Sequence, residues 1–148
     1  MPVPDAMDIL GFEYPDDAWF FLEQDMWCRA RADGSMEVGI TAFGIHLSGD
    51  VYMCRPKPAG TELVQGQTLA VAELSKAVVA IRSPVTGRVI EVNPLLEDTP
   101  ELVHREPYAR GWIARIAPAR WAEDLARLAH GESLAAAATA RMRPEDPE

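Results

Sequence analysis

The run Gly66-Gln67-Thr68-Leu69-Ala70-Val71-Ala72-Glu73-Leu74-Ser75-Lys76-Ala77-Val78-Val79-Ala80-Ile81 holds two strand-like stretches on either side of a short polar interruption that contains Lys76. Such a pattern reads as a β-hairpin with the lysine at its tip. A tip lifts a side chain away from the sheet, where a modifying enzyme can enclose it, whereas a lysine in mid-strand has neighbours in the way. The lysine amine attacks an activated acyl group as a neutral nucleophile, and its long, flexible stem lets it reach. Lys76 is therefore a candidate for covalent acylation, and the local pattern alone leaves open the plainer case of a solvated turn lysine.

Outward from this hairpin, residues 26–116 read as short β segments punctuated by turn chemistry. Asp33-Gly34 separates residues 27–31 from 36–41, Gly49-Asp50 precedes 51–54, and Pro56, Pro58 and Gly60 mark a loop. Residues 77–82 and 88–92 are joined by Ser83-Pro84-Val85-Thr86-Gly87, and 111–116 read as a closing strand, while 95–103 interrupt the pattern as a short helix or structured loop. Many short strands with frequent turns predict a mainly β sandwich or barrel.

The flanks differ. Residues 11–22 hold Phe12, Tyr14, Trp19, Phe20 and Phe21, a density of aromatics that predicts a lead-in helix or strand packed on the domain rather than a disordered tail. After Pro118, Trp121, Leu125 and Leu128 recur at helical spacing, which predicts an amphipathic helix ending near Gly131, with an alanine-rich second helix over 133–142. The expected division is a lead-in segment 1–22, a β domain 23–118, a helical region 119–142 packing on it, and a frayed tail 143–148.

Composition narrows the function. Hydrophobic residues make up 48% and charged residues 25% of 148, a globular balance, and no apolar run approaches the roughly 18 residues of a membrane span. Acidic residues outnumber basic ones 23 to 14, which argues against nucleic acid and anionic membrane as partners. The first residues lack the basic and apolar regions of a secretory signal, and Cys28 and Cys54 stand far apart, so a reducing, cytoplasmic location is expected. His46, His104 and His130 are scattered without metal-ligand spacing. Cys54 reads as a small buried hydrophobe rather than an accessory thiol.

With these residues in view, the hairpin resembles the lipoylation hairpin of glycine cleavage H proteins, in which a glutamate, two residues, a lysine and an alanine stand between two strands; here these are Glu73, Lys76 and Ala77. The resemblance runs from about residue 27 to 128 and includes Val38-Gly39-Ile40-Thr41, Gly49-Asp50-Val51, Val92-Asn93, Leu96-Glu97-Asp98, Pro100-Glu101-Leu102-Val103, Pro107-Tyr108 and Gly111-Trp112. It implies the lipoyl/biotinyl-carrier barrel-sandwich hybrid, two small antiparallel sheets with a C-terminal helix. It also implies covalent lipoic acid on Lys76, with Glu73 helping a lipoyl ligase or transferase recognise the turn. Biotin carriers usually place methionine on both sides of the lysine, and Ser75 and Ala77 argue against biotin.

In such proteins the attached group carries the chemistry and the protein presents it. Departures from the H-protein pattern bear on the cargo: Asp25-Met26-Trp27 replaces the usual His-Glu-Trp, Ala42 replaces an acidic residue, and His104 stands where asparagine is common. With Tyr52-Met53-Cys54-Arg55-Pro56-Lys57 they make the chain look more like the lipoate-binding proteins of sulfur-oxidising prokaryotes. That resemblance implies a non-catalytic arm carrying sulfur intermediates for a heterodisulfide-reductase-like complex. The alternative is an H protein carrying the aminomethyl group for glycine cleavage enzymes. Readings of other classes are a non-covalent adaptor with unmodified Lys76 and a stand-alone enzyme, for which no G-x-S-x-G, H-E-x-x-H or Gly-rich phosphate loop is present.

Overall fold

Leu10 and Gly11, both at positive φ (53° and 91°), turn the chain back between β1 (Ala6–Ile9) and β2 (Phe12–Pro15). This opening hairpin stands apart from the two larger sheets of the computed structural model, which describes residues 6–75 and 77–143. The remaining strands are β3 (Ala18–Phe21), β4 (Met26–Ala30), β5 (Met36–Ile40), β6 (Val51–Pro56), β7 (Glu62–Leu63), β8 (Thr68–Leu74), β9 (Val78–Arg82), β10 (Gly87–Val92) and β11 (Ala114–Pro118). Six of them form an antiparallel sheet in the order β3-β4-β5-β11-β10-β7, and three form a second, β6-β8-β9.

Alternation along β4 explains how the layers stack. Met26 and Cys28 enter the main core with Val38, Ile40, Leu69, Ala72, Val89 and Ile116, which is the space between the two sheets. Trp27 points the other way and joins Ile9, Tyr14, Phe20, Trp112 and Leu134 in a second core. A period of two on a strand buried on both faces supplies both cores from one stretch of sequence. Burying Phe20, Phe21 and Trp27 completely stabilises the fold by roughly 1.5–3 kcal/mol for each ring.

Two glycines permit this packing. A Cβ on Gly39 would lie 2.7 Å from the Trp27 indole, so the bare backbone of β5 is what lets the ring lie against it. A Cβ on Gly87 would overlap the Ala117 carbonyl oxygen on β11, and Gly87 is also paired with Leu63 on β7. Residues 83–87 are buried and carry the chain from the three-stranded sheet into the six-stranded one.

Helices cap this sandwich: α1 (Ala42–Ser48), α2 (Leu102–Arg105), α3 (Trp121–Asp124) and α4 (Leu134–Met142). The expected amphipathic helix reaching Gly131 is not continuous. One α turn is followed by a 3₁₀ turn, Leu125–Arg127, and Leu128 is extended. The reason lies in its partners: Asp124 turns inward to Thr86, and Ala129 exchanges backbone hydrogen bonds with Phe20 at the edge of the large sheet (2.8 and 2.9 Å). The aromatic lead-in is strand rather than helix, and the alanine-rich stretch is helix α4. The expected frayed tail lies, beyond Arg143, outside the described residues.

Gly87→Ala is expected to lower stability by about 3 kcal/mol, since the added methyl meets backbone and no side chain can yield. A urea denaturation curve with a lower midpoint and unchanged slope is the measurement.

Candidate functional site

β8 and β9 pair from Thr68↔Arg82 to Glu73↔Val78, and the Leu74 N–H donates to the Ala77 carbonyl (2.8 Å). Only Ser75 and Lys76 stand between that closing pair. Lys76 itself lies outside the described residues. Its neighbours Ser75, Ala77 and Val78 are exposed, Val78 at 67%, so no described part of the protein crowds the turn.

Glu73 lies one pair back from the closing bond, opposite Met53 on one side and Val78 on the other. It is exposed and makes no hydrogen bond or ion pair among the described residues. Its carboxylate is thus available to an incoming protein.

The hairpin is anchored at both ends. At its base, Gly66 N–H donates to Ser83 O and Ser83 N–H to Gln67 O (both 2.8 Å), and the buried Asp124 carboxylate accepts from Thr86 N–H (2.6 Å) and Thr86 Oγ1 (2.9 Å). At its tip, Ser75 N–H donates to Asp50 O (3.2 Å) in the loop between α1 and β6. That loop follows α1, whose N-cap Thr41 accepts from Gly44 N–H (3.1 Å) and whose C-cap Gly49 adopts φ 82°. Val51 N–H donates to His104 Nδ1 (2.9 Å), bringing α2 against the same loop. The sequence reading did not assign α1, although Thr41 and Gly49 are the capping signals that bracket it. The role of His104 left no local trace, because its partner is 53 residues away.

Two of the departures in the first strand region are now placed. Met26 is buried in the main core. Asp25 is buried at positive φ (56°); burial raises its carboxyl above the ordinary value, while the hydrogen bond and charge of Arg141 (2.6 Å) pull the other way. Both side chains are used inside the fold.

A cleft of about 990 Å³ runs beside α1, lined among others by Phe12, Arg29, Ile45, His104 and Tyr108. Two of its polar side chains are engaged within the fold: the Tyr108 hydroxyl donates to Glu13 O and accepts from Ala42 N–H, and Arg29 meets Asp17, Glu37 and Tyr108 O. Among the described residues no cluster of three or more His, Cys, Asp or Glu side chains is arranged to hold a metal ion. Cys28 and Cys54 are both unpaired and buried. The arrangement is a display: an open turn on a braced hairpin.

Comparison with known proteins places this geometry in context. A family model described as glycine cleavage H-protein matches residues 19–141. The chain is 34% identical over 122 residues to glycine cleavage system H protein 2 of Aquifex aeolicus, covering 82% of this chain and 76% of that one. It is 43% identical over 96 residues to the glycine cleavage system H protein of Escherichia coli O7:K1, covering 65% and 74%. It is also similar to the crystal structure of a glycine cleavage system H protein from Mycobacterium marinum, with a TM-score of 0.64, 27% identity, and coverage of 70% of this chain and 85% of that one.

Burial pushes the Cys54 thiol up to about 12 and the Cys28 thiol higher still, with Asp124 adding to the latter. At pH 8 neither forms appreciable thiolate, the reactive species. An aromatic disulfide reagent is therefore expected to titrate no thiol in the native protein and both in denaturant.

Proposed function

Because this chain belongs to the glycine cleavage H-protein family, which fixes it as a non-catalytic lipoyl carrier of the barrel-sandwich fold, we propose that Lys76 is the residue carrying the lipoyl group and that its cargo is the aminomethyl group handled by glycine cleavage enzymes. The observation that carries the choice of residue is the hairpin β8–β9: its closing bond leaves only Ser75 and Lys76 in the turn, the strands behind it are braced by Ser83, Thr86 and Asp124, and the described residues around it are exposed. What supports the cargo is that the relatives are glycine cleavage system H proteins. The partners are then a lipoyl ligase or transferase, which reads the exposed Glu73, and the glycine cleavage enzymes.

When bound, a lipoyl group supplies a ring disulfide that accepts a group together with two electrons and is regenerated by thiol–disulfide exchange. The protein's part is mechanical and electrostatic. The ladder from Thr68↔Arg82 to Glu73↔Val78 fixes the two strands that lead into the turn. Loop 49–51 keeps Ser75 in place. Ala77 and Val78 add no charge of their own beside the turn.

The sulfur-carrying role favoured by the departures alone is the second reading. It rests on the resemblance alone, since Asp25 and Met26 are both used inside the fold. The relatives' names give it no support, and it stands below the aminomethyl reading. A cytoplasmic location belongs to the proposal as well, supported by two unpaired, buried cysteines; no described helix is long and apolar enough to cross a membrane.

Incubated with lipoate ligase, lipoate and ATP, the protein is expected to gain one lipoyl group by intact mass, and Lys76→Arg none, with stability changed by less than about 0.5 kcal/mol. Absence of modification at Lys76 rules out the anchor. Offered to glycine decarboxylase and aminomethyltransferase, the lipoylated protein is expected to be loaded from glycine; failure there, with loading from a sulfur-donating complex, favours the second reading.

A further inference from the structure

The loop that ties down the hairpin tip has an outside support. The register between β6 and β8 shifts between Val51 and Met53, and Val51 is buried, so its amide needs an acceptor. His104 on α2 supplies it through Nδ1 at 2.9 Å. Asp50, one residue earlier, takes the Ser75 N–H on its carbonyl. Gly49 comes so near that a Cβ there would lie 3.3 Å from Ser75 Oγ. An imidazole nitrogen that accepts carries no proton, so the hydrogen of the neutral ring is on Nε2, which faces the Asp50 carboxylate at 3.7 Å. One side chain therefore meets both the amide that follows Asp50 and the Asp50 carboxylate.

We propose that His104 is a positioning residue for the carrier hairpin: by holding loop 49–51 it keeps Ser75, and with it the turn containing residue 76, in the form that acting enzymes bind. The proposal rests on Lys76 being the lipoyl anchor. His104 touches no reacting atom. Its removal leaves the enzyme's chemical step alone and lowers the fraction of carrier whose tip is ready to dock. Apparent affinity falls in proportion to that fraction, so KM for the carrier rises while kcat stays.

Two substitutions separate this from a role in general stability. In His104→Asn the side-chain oxygen falls where Nδ1 lies and keeps an acceptor for Val51. In His104→Gln it falls where Nε2 lies and leaves that amide without one. Both full-length variants and the parent are lipoylated by lipoate ligase with lipoate and ATP, below the melting temperature of the least stable of them, over a range of carrier concentrations. Amide exchange is followed at Val51 and Ser75. His104→Gln is expected to raise KM about tenfold at constant kcat, in proportion to the cost of an unsatisfied buried amide, and to speed exchange at both amides. His104→Asn is expected to restore each to within about twofold of the parent. A KM for His104→Gln equal to the parent's, whatever its melting temperature, overturns the proposal. So does a fall in kcat at constant KM, or failure of Asn to rescue. If the parent itself accepts no lipoyl group, the anchor assignment fails, and the exchange data still decide the clamp: unchanged exchange at Ser75 in His104→Gln overturns it, and faster exchange reversed in His104→Asn upholds it.

Discussion

The indole of Trp27 lies against the bare backbone of Gly39, with its Nε1–H donating to Pro107 O (2.9 Å). This contact lets β4 and β5 be buried on both faces. On one side lies the space between the two sheets, which sets the height of β8 and β9. On the other lies the second core, covered by β1, β2 and α4. A larger residue at position 39 would push the ring away, and the shift would reach both layers, because close-packed interiors transmit strain.

Charge inside this frame follows from the same burial. Glu37 shares β5 with Gly39, is almost fully buried, and is met by Arg31 (3.1 Å), Arg115 (3.3 Å) and Arg29 (3.5 Å). A buried carboxylate needs such compensation, and three guanidinium groups supply it. Further arginines are committed to Glu23, Asp25 and Glu106. Many of the basic side chains of a chain with net charge −9 are thus tied to its own acids, and the field offered to partners is strongly acidic.

Much of this was legible in the residues. The strands announced themselves by alternation and by Asp33-Gly34, Gly49-Asp50 and Gly66, all local signals, and most segments fall within a residue or two of where those signals place them. The two strand-like runs on either side of Ser75-Lys76 pointed to the hairpin, and the Glu73–Lys76–Ala77 spacing carried only the family resemblance; Lys76 itself is outside the described residues. What failed depended on distant partners. Trp121, Leu125 and Leu128 have helical spacing, yet Asp124 is drawn to Thr86 and Ala129 to Phe20, and those pulls end the helix early. Nothing beside His104 in the sequence reveals Val51. The cargo was read from substitutions such as Met26, whose burial shows that a change of residue type can answer to packing as much as to chemistry.

The seclusion of the two cysteines has a consequence for a protein that bears a dithiolane. A group tethered to a carrier meets that carrier's own surface at a far higher effective concentration than it meets any other protein. An accessible thiolate within reach would trap the arm in an intramolecular mixed disulfide and take the molecule out of circulation. Cys28 lies on β4 and Cys54 on β6, both in the core between the sheets and both held as thiols. The carrier's own thiols are chemically silent toward a dithiolane it bears, and exchange is left to its partners.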